Sequence, residues 1–81
     1  MVNVINSAKL YPNPSNGIIN LESDYIIKNV IIKDLHGKIV ISDETINSQK
    51  HRCNISLAPG VYIVTLLTDQ GISTKKLIIN L

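Results

Sequence analysis

The softest donor atoms in this chain belong to His36, His51 and Cys53, and a bound metal is the first chemistry they suggest. A structural zinc site takes four ligands, usually in paired short spacings. Here there is one His-x-Cys pair, a distant histidine and no second cysteine, so no metal is expected. Cys53 is no better as a nucleophile. It falls at an inward position of an alternating segment, where burial raises the thiol pKa and lowers its reactivity. Asp34, His36 and Ser42 can be drawn as a triad, but such trios arise by chance in any chain. Glycoside hydrolysis needs two carboxylates facing across a cleft, and the six acidic residues are scattered. Gly60 and Gly71 fit no phosphate-cradling spacing. Asn54-Ile55-Ser56 matches a glycosylation sequon, which matters only in a eukaryotic secretory pathway. The reading is a protein without catalysis and without a cofactor.

Elements that could position any such group must be short. With 81 residues and 8.9 kDa, the chain is one domain or part of one, too small for a Rossmann sheet or a TIM barrel. Its 15 Ile and 6 Val outweigh 8 Leu, 2 Ala and 1 Met. Side chains branched at Cβ are stiff at χ1 and suit a pleated surface better than a helix, so the composition points to an all-β fold. Phe and Trp are absent and there are 3 Tyr, which argues against a stacking platform for sugars or bases. A net charge of +2 is too small to mark a nucleic-acid partner. The single cysteine leaves no internal disulfide. The opening Met1-Val2-Asn3-Val4-Ile5-Asn6 lacks a basic region followed by an apolar stretch, so it does not read as a signal peptide. No apolar run reaches the roughly 18 residues of a membrane helix.

Turn signals at Pro12-Asn13-Pro14-Ser15-Asn16-Gly17, His36-Gly37-Lys38, Ala58-Pro59-Gly60 and Asp69-Gln70-Gly71 punctuate the chain. Between them the sequence predicts strands over residues 9–11 (with a possible extension from 2–5), 17–22, 29–35, 38–42, 51–57, 61–68 and 72–81. Residues 43–49 are polar and irregular. The strand at 61–68 is apolar on both faces and reads as central. About seven antiparallel strands give a small immunoglobulin-like β-sandwich, without the Cys…Trp…Cys signature of antibody domains. Ile32, Val40, Ile55, Val64 and Ile78 are the expected core.

Four blocks remain. They are Tyr11-Pro12-Asn13-Pro14 with Gly17; a strand ending Asp34-Leu35-His36-Gly37-Lys38; Gly60-Val61-Tyr62; and the closing strand with Lys75-Lys76. Alternating prolines fix φ and withhold ladder donors, so the first block alone would read as a stiff connector. Together, in this order, the blocks resemble the type A C-terminal sorting domain of the type IX secretion system of Bacteroidetes. The resemblance spans residues 9–81 and leaves 1–8 as linker from a preceding cargo domain. On this resemblance, Tyr11, Pro12, Asn13, Pro14, Gly17, Asp34, Gly37, Lys38, Gly60, Val61, Tyr62, Lys75 and Lys76 occupy the family's motif positions.

The resemblance implies a signal carried by exported cargo. Its partners would be the outer-membrane translocon, a shuttle protein and a sortase-like peptidase that cuts near residues 2–8 or upstream. The cargo would cross the periplasm and end at the cell surface or outside the cell. The domain itself would be a monomer binding neither nucleic acid nor a small-molecule substrate. A terminal strand offers backbone groups for strand addition, and Lys75-Lys76 serve either recognition or protection of an exposed edge. Gly37 and Gly60 read as backbone devices, and Tyr62 as a packed ring whose hydroxyl finds a partner. Two rival functions stay open: a fibronectin-like spacer or adhesion module, told apart by an internal position in its protein, and a carbohydrate-binding sandwich.

Overall fold

A computed structural model describes residues 8–80. The described chain is all-β, with six strands: β1 (Lys9–Tyr11), β2 (Ile18–Lys33), β3 (Ile39–Asp43), β4 (Ser48–Asn54), β5 (Gly60–Thr68) and β6 (Gly71–Ile79). All the strand pairings are antiparallel. The difference from seven strands lies in β2, which fuses the segments expected at 17–22 and 29–35. The possible extension over 2–5 lies outside the described residues.

β2 is the spine. Leu21 is opposite Leu10 of β1 on one edge and His51 of β4 on the other. Further along, Ile32 lies between Val64 of β5 and Ile41 of β3. Ile27 meets both Ser48 of β4 and Thr68 of β5. So β1 and β5 share one edge of β2, and β4 and β3 share the other. The first half of β2 makes a three-stranded sheet I, β1-β2-β4. The second half makes a four-stranded sheet II, β3-β2-β5-β6.

Two irregularities let one strand serve both layers. Between Glu22 and Ile27, β2 advances five residues while β4 advances two, from Lys50 to Ser48. The three surplus residues make the bend, which is held by Tyr25 N–H donating to Ser23 Oγ (3.1 Å) and Gln49 Nε2 donating to the Asp24 carbonyl (2.7 Å). Lys28 is then a bulge, since Ile27 pairs with Thr68 and Asn29 with Leu67. An inserted residue reverses which side chains face inward. Ile19, Leu21 and Ile27 point into the core before it, and Val30 and Ile32 after it.

The core lies between the layers. Sheet I contributes Ile19 and Leu21, while sheet II contributes Val30, Ile32, Tyr62, Val64, Leu66, Leu77 and Ile79. Ile27, where the two halves of β2 meet, together with Ile46, Ile55 and Ala8, the residue just before β1, completes it. Each fully buried aliphatic side chain is worth about 1.5–3 kcal/mol. Of the expected core, Ile32, Ile55 and Val64 are buried, and Val40 packs part-buried against them. Ile78 is a correction: it points to the outer face, and Leu77 and Ile79 on either side of it are the inward pair.

Candidate recognition site at one end of the sandwich

The hairpin after β2 leaves the sheet just beyond the Lys33–Ile63 pair. This is the end from which β5 starts and at which β6 finishes, where Gly60 pairs with Ile79 and Val61 with Ile78. Leu35, His36 and Gly37 form the connection. Gly37 N–H donates to the Asp34 carbonyl (3.1 Å), and Gly37 takes φ +84°, which glycine adopts without strain. The Asp34 carboxylate caps the turn, accepting from the N–H of His36 (2.8 Å) and of Lys38 (3.0 Å). The Lys38 amide bond is the main reason its carboxyl lies below the usual aspartate range.

The opening motif reaches the same end by a different route. Residues 12–16 run along the outer edge of β6. Ser15 N–H donates to the Ile78 carbonyl (2.7 Å), and Asn80 N–H donates to the Ser15 carbonyl (2.9 Å), a parallel bridge. Two residues earlier, Asn13 Nδ2 donates to the Lys76 carbonyl (2.7 Å), and Asn13 Oδ1 accepts from Ile78 N–H (2.9 Å). A carboxamide carries the same donor and acceptor as a peptide unit, so the Asn13 side chain stands in for a stretch of added strand. Pro12 and Pro14 have no N–H to give, which suits a segment whose donors come from Asn13 and Ser15. The peptide bonds before both prolines are cis.

Ser15 is 1% exposed and was not singled out by the sequence. Its hydroxyl donates to the Ile18 carbonyl (2.8 Å) and accepts from Gly17 N–H (3.1 Å). The available signal was a small hydroxyl residue inside a Pro/Asn/Gly turn, where such side chains bond their own backbone. Gly17, at φ +127°, passes close to the chain after β4: its carbonyl accepts from Ile55 N–H (2.6 Å), and a Cβ would lie 3.1 Å from the Ile55 carbonyl oxygen.

The other motif residues fall around this latch. Tyr62 is buried and its hydroxyl donates to the Ala58 carbonyl (2.7 Å). Gly60 opens β5, and Val61 sits half-buried on the outer face of sheet II. Lys76 is exposed on that outer face, while Lys75, opposite Val64, lies on the inward side of the edge strand and is half-buried. Tyr11 is 44% exposed on the outer face of sheet I, where its hydroxyl donates to Glu22 and its pKa rises in consequence. Pro12, Asn13 and Pro14 are exposed. The structure thus sets Pro12-Asn13-Pro14 along the outer edge of β6, pairs Gly60-Val61-Tyr62 with its other edge, and places the Asp34–Lys38 hairpin at the same end of sheet II.

The residues first weighed for chemistry lie elsewhere. His51 and Asp43 face each other at 3.8 Å across the open side of the sandwich between β3 and β4. Beside them Cys53 lines a shallow cavity of about 300 Å³. Burial, and secondly the negative charge of Asp43, push the thiol pKa up. The Thr45 hydroxyl is the main cause holding the Asp43 carboxyl down. Among the described residues no group of three His, Cys, Asp or Glu side chains is placed to hold a metal.

What the fold presents is backbone edges, a proline-bearing loop latched to β6 and two sheet faces. The secretion system C-terminal sorting domain pattern matches residues 9–80, nearly the whole chain, and the chain belongs to that family. No curated protein matches it. The domain is therefore a type IX secretion sorting signal, from a family of non-catalytic signals, that engages the secretion machinery and routes its protein to the cell surface or out of the cell.

Proposed function

We propose that the outer-membrane translocon and its shuttle protein read the folded domain at its motif-bearing end, after transit through the periplasm. A sortase-like peptidase then removes the domain. The observation that carries this reading is the Asn13–Ser15 latch on β6, which joins residues more than sixty positions apart. These blocks are neighbours only once the sandwich has formed, so a receptor for this end accepts folded cargo and passes over unfolded chains. Pro12, Pro14, Lys38 and Lys76 supply exposed features of this end. Asn13, Gly17, Asp34, Gly37, Gly60 and Tyr62 hold its shape, with Tyr11, Val61 and Lys75 alongside.

Removal is tested by mass spectrometry of a reporter carrying this chain at its C-terminus, recovered after export by a host with type IX machinery. The expected product ends within or upstream of residues 1–8, a stretch whose first seven residues lie outside the described structure. A recovered reporter that still carries β1 to β6 contradicts the peptidase step.

A further inference from the structure

The two outer faces of the sandwich are not alike. Antiparallel sheets with one solvated face alternate apolar-in and polar-out. Sheet I obeys this, with the rows Lys9–Glu22–Lys50 and Tyr11–Asn20–Arg52 facing outward. Sheet II does not. β5 sends Tyr62, Val64 and Leu66 into the core, and its outward residues include Val61, Ile63 and Leu67. Their cross-strand partners extend the apolar surface, since Val61 pairs with Ile78 and Leu67 with Ile72. Ile31 of β2 lies beside Thr65 of β5, and the 54%-exposed Ile39 continues the panel onto β3. Apart from Ile39, these side chains are half-buried, and no described strand lies over them.

We propose that the outer face of sheet II docks a protein surface of the secretion machinery that is apolar at its centre and bordered by carboxylates. This rests on the sorting-signal reading and goes beyond it by assigning a face and a partner chemistry.

Charge selects the acidic border. Ile63 lies between Lys33 and Lys76 across three adjacent strands, so the two lysines stand roughly 10 Å apart. No carboxylate points outward from any strand of this sheet. Asp34, at the lysine end, is turned into its own hairpin. A partner carboxylate on either side of an apolar centre would meet both ammonium groups.

Size and shape argue against the other occupants. Four strands at about 4.8 Å and six residues at about 3.3 Å give an outer face of roughly 400 Å², on which Lys33, Ser42, Thr65, Thr74 and Lys76 interrupt the apolar side chains. A second copy would bury about 800 Å² in total, below what a stable dimer needs, and would stack two cationic faces. A membrane-surface site is marked by interfacial aromatic residues, and this panel holds none.

The test uses the whole chain fused behind an export signal and a fluorescent reporter in a type IX host. One variant is Ile63→Lys. A second, Lys33→Glu with Lys76→Glu, reverses the charges without touching the apolar packing. Arg52→Glu on the outer face of sheet I is the control. Both panel variants are expected to lower export about tenfold, the charge-reversed chain with its melting curve unchanged and Ile63→Lys still folded, and the control is expected to export like the parent. Export unchanged in the charge-reversed variant overturns the proposal and leaves the sorting signal standing; a parent that does not export overturns both. Two further results also overturn it. One is a sedimentation-defined dimer that Ile63→Lys dissociates, which assigns the face to a second copy. The other is binding to phosphatidylethanolamine–phosphatidylglycerol vesicles that the same substitution abolishes, which assigns it to lipid.

Discussion

Asn13 carries a specific duty within the opening motif: its side chain does the work of a backbone. It needs both a donor, for the Lys76 carbonyl, and an acceptor, for Ile78 N–H. Asn13→Asp keeps the acceptor and sets a carboxylate oxygen against a carbonyl. The expected loss is about 1 kcal/mol of unfolding free energy, at the modest end for a hydrogen bond because the site is exposed. Chemical denaturation measures it, and an unchanged midpoint contradicts the latch. The sequence showed this segment to be stiff and short of donors, since proline dictates both. It could not show what the segment lies against, because the partner strand is at the far end of the chain. Ser15 escaped notice for the same reason: buried serines and exposed turn serines look alike in a sequence.

Strand-forming segments were legible from alternation and turn chemistry, but their continuity was not. Residues 23–28 separate the strands expected at 17–22 and 29–35, and in the fold they hold a bend within one strand. The Lys28 bulge is equally hidden, since its signature is a change of parity that shows only against a partner. Parity was also undetermined in Leu77-Ile78-Ile79, where every residue is apolar. The fold resolves it, with Leu77 fully buried and Ile78 on the outer face. Leu77→Ala is therefore expected to cost about 3 kcal/mol and Ile78→Ala about 1 kcal/mol, because only the first leaves a core cavity. Equal costs, or the reverse order, in urea titrations would mean that β6 is placed in the wrong register.

The whole molecule solves an edge problem and leaves a face unsolved. β6 has β5 on one side only, and an edge strand invites unwanted pairing. Residues 13–15 take up its edge groups from the Lys76 carbonyl to Asn80 N–H. Lys75, pointing inward from the remaining stretch, is the kind of charge that discourages strand addition there. The outer face of sheet II keeps apolar side chains between its lysines, a feature visible in the sequence as the two-sided run at 61–68 and read there as the mark of a central strand. β5 is central within its sheet, yet only one of its faces is covered by the described fold. The ordered motifs made the sorting function legible, while their convergence at one end required the fold. The central claim is that the folded sandwich is itself the export signal. Its most direct measurement places a fluorescent reporter, with an inner-membrane export signal, ahead of this chain in a type IX host. A matched fusion ends at Gly71 and so lacks most of β6, the strand that residues 13–15 close. The expected result is fluorescence on the cell surface or in the medium for the full chain, and retention of the truncated form in the periplasm. Full-chain reporter left in the periplasm, or truncated reporter exported as well as the full chain, would contradict the account.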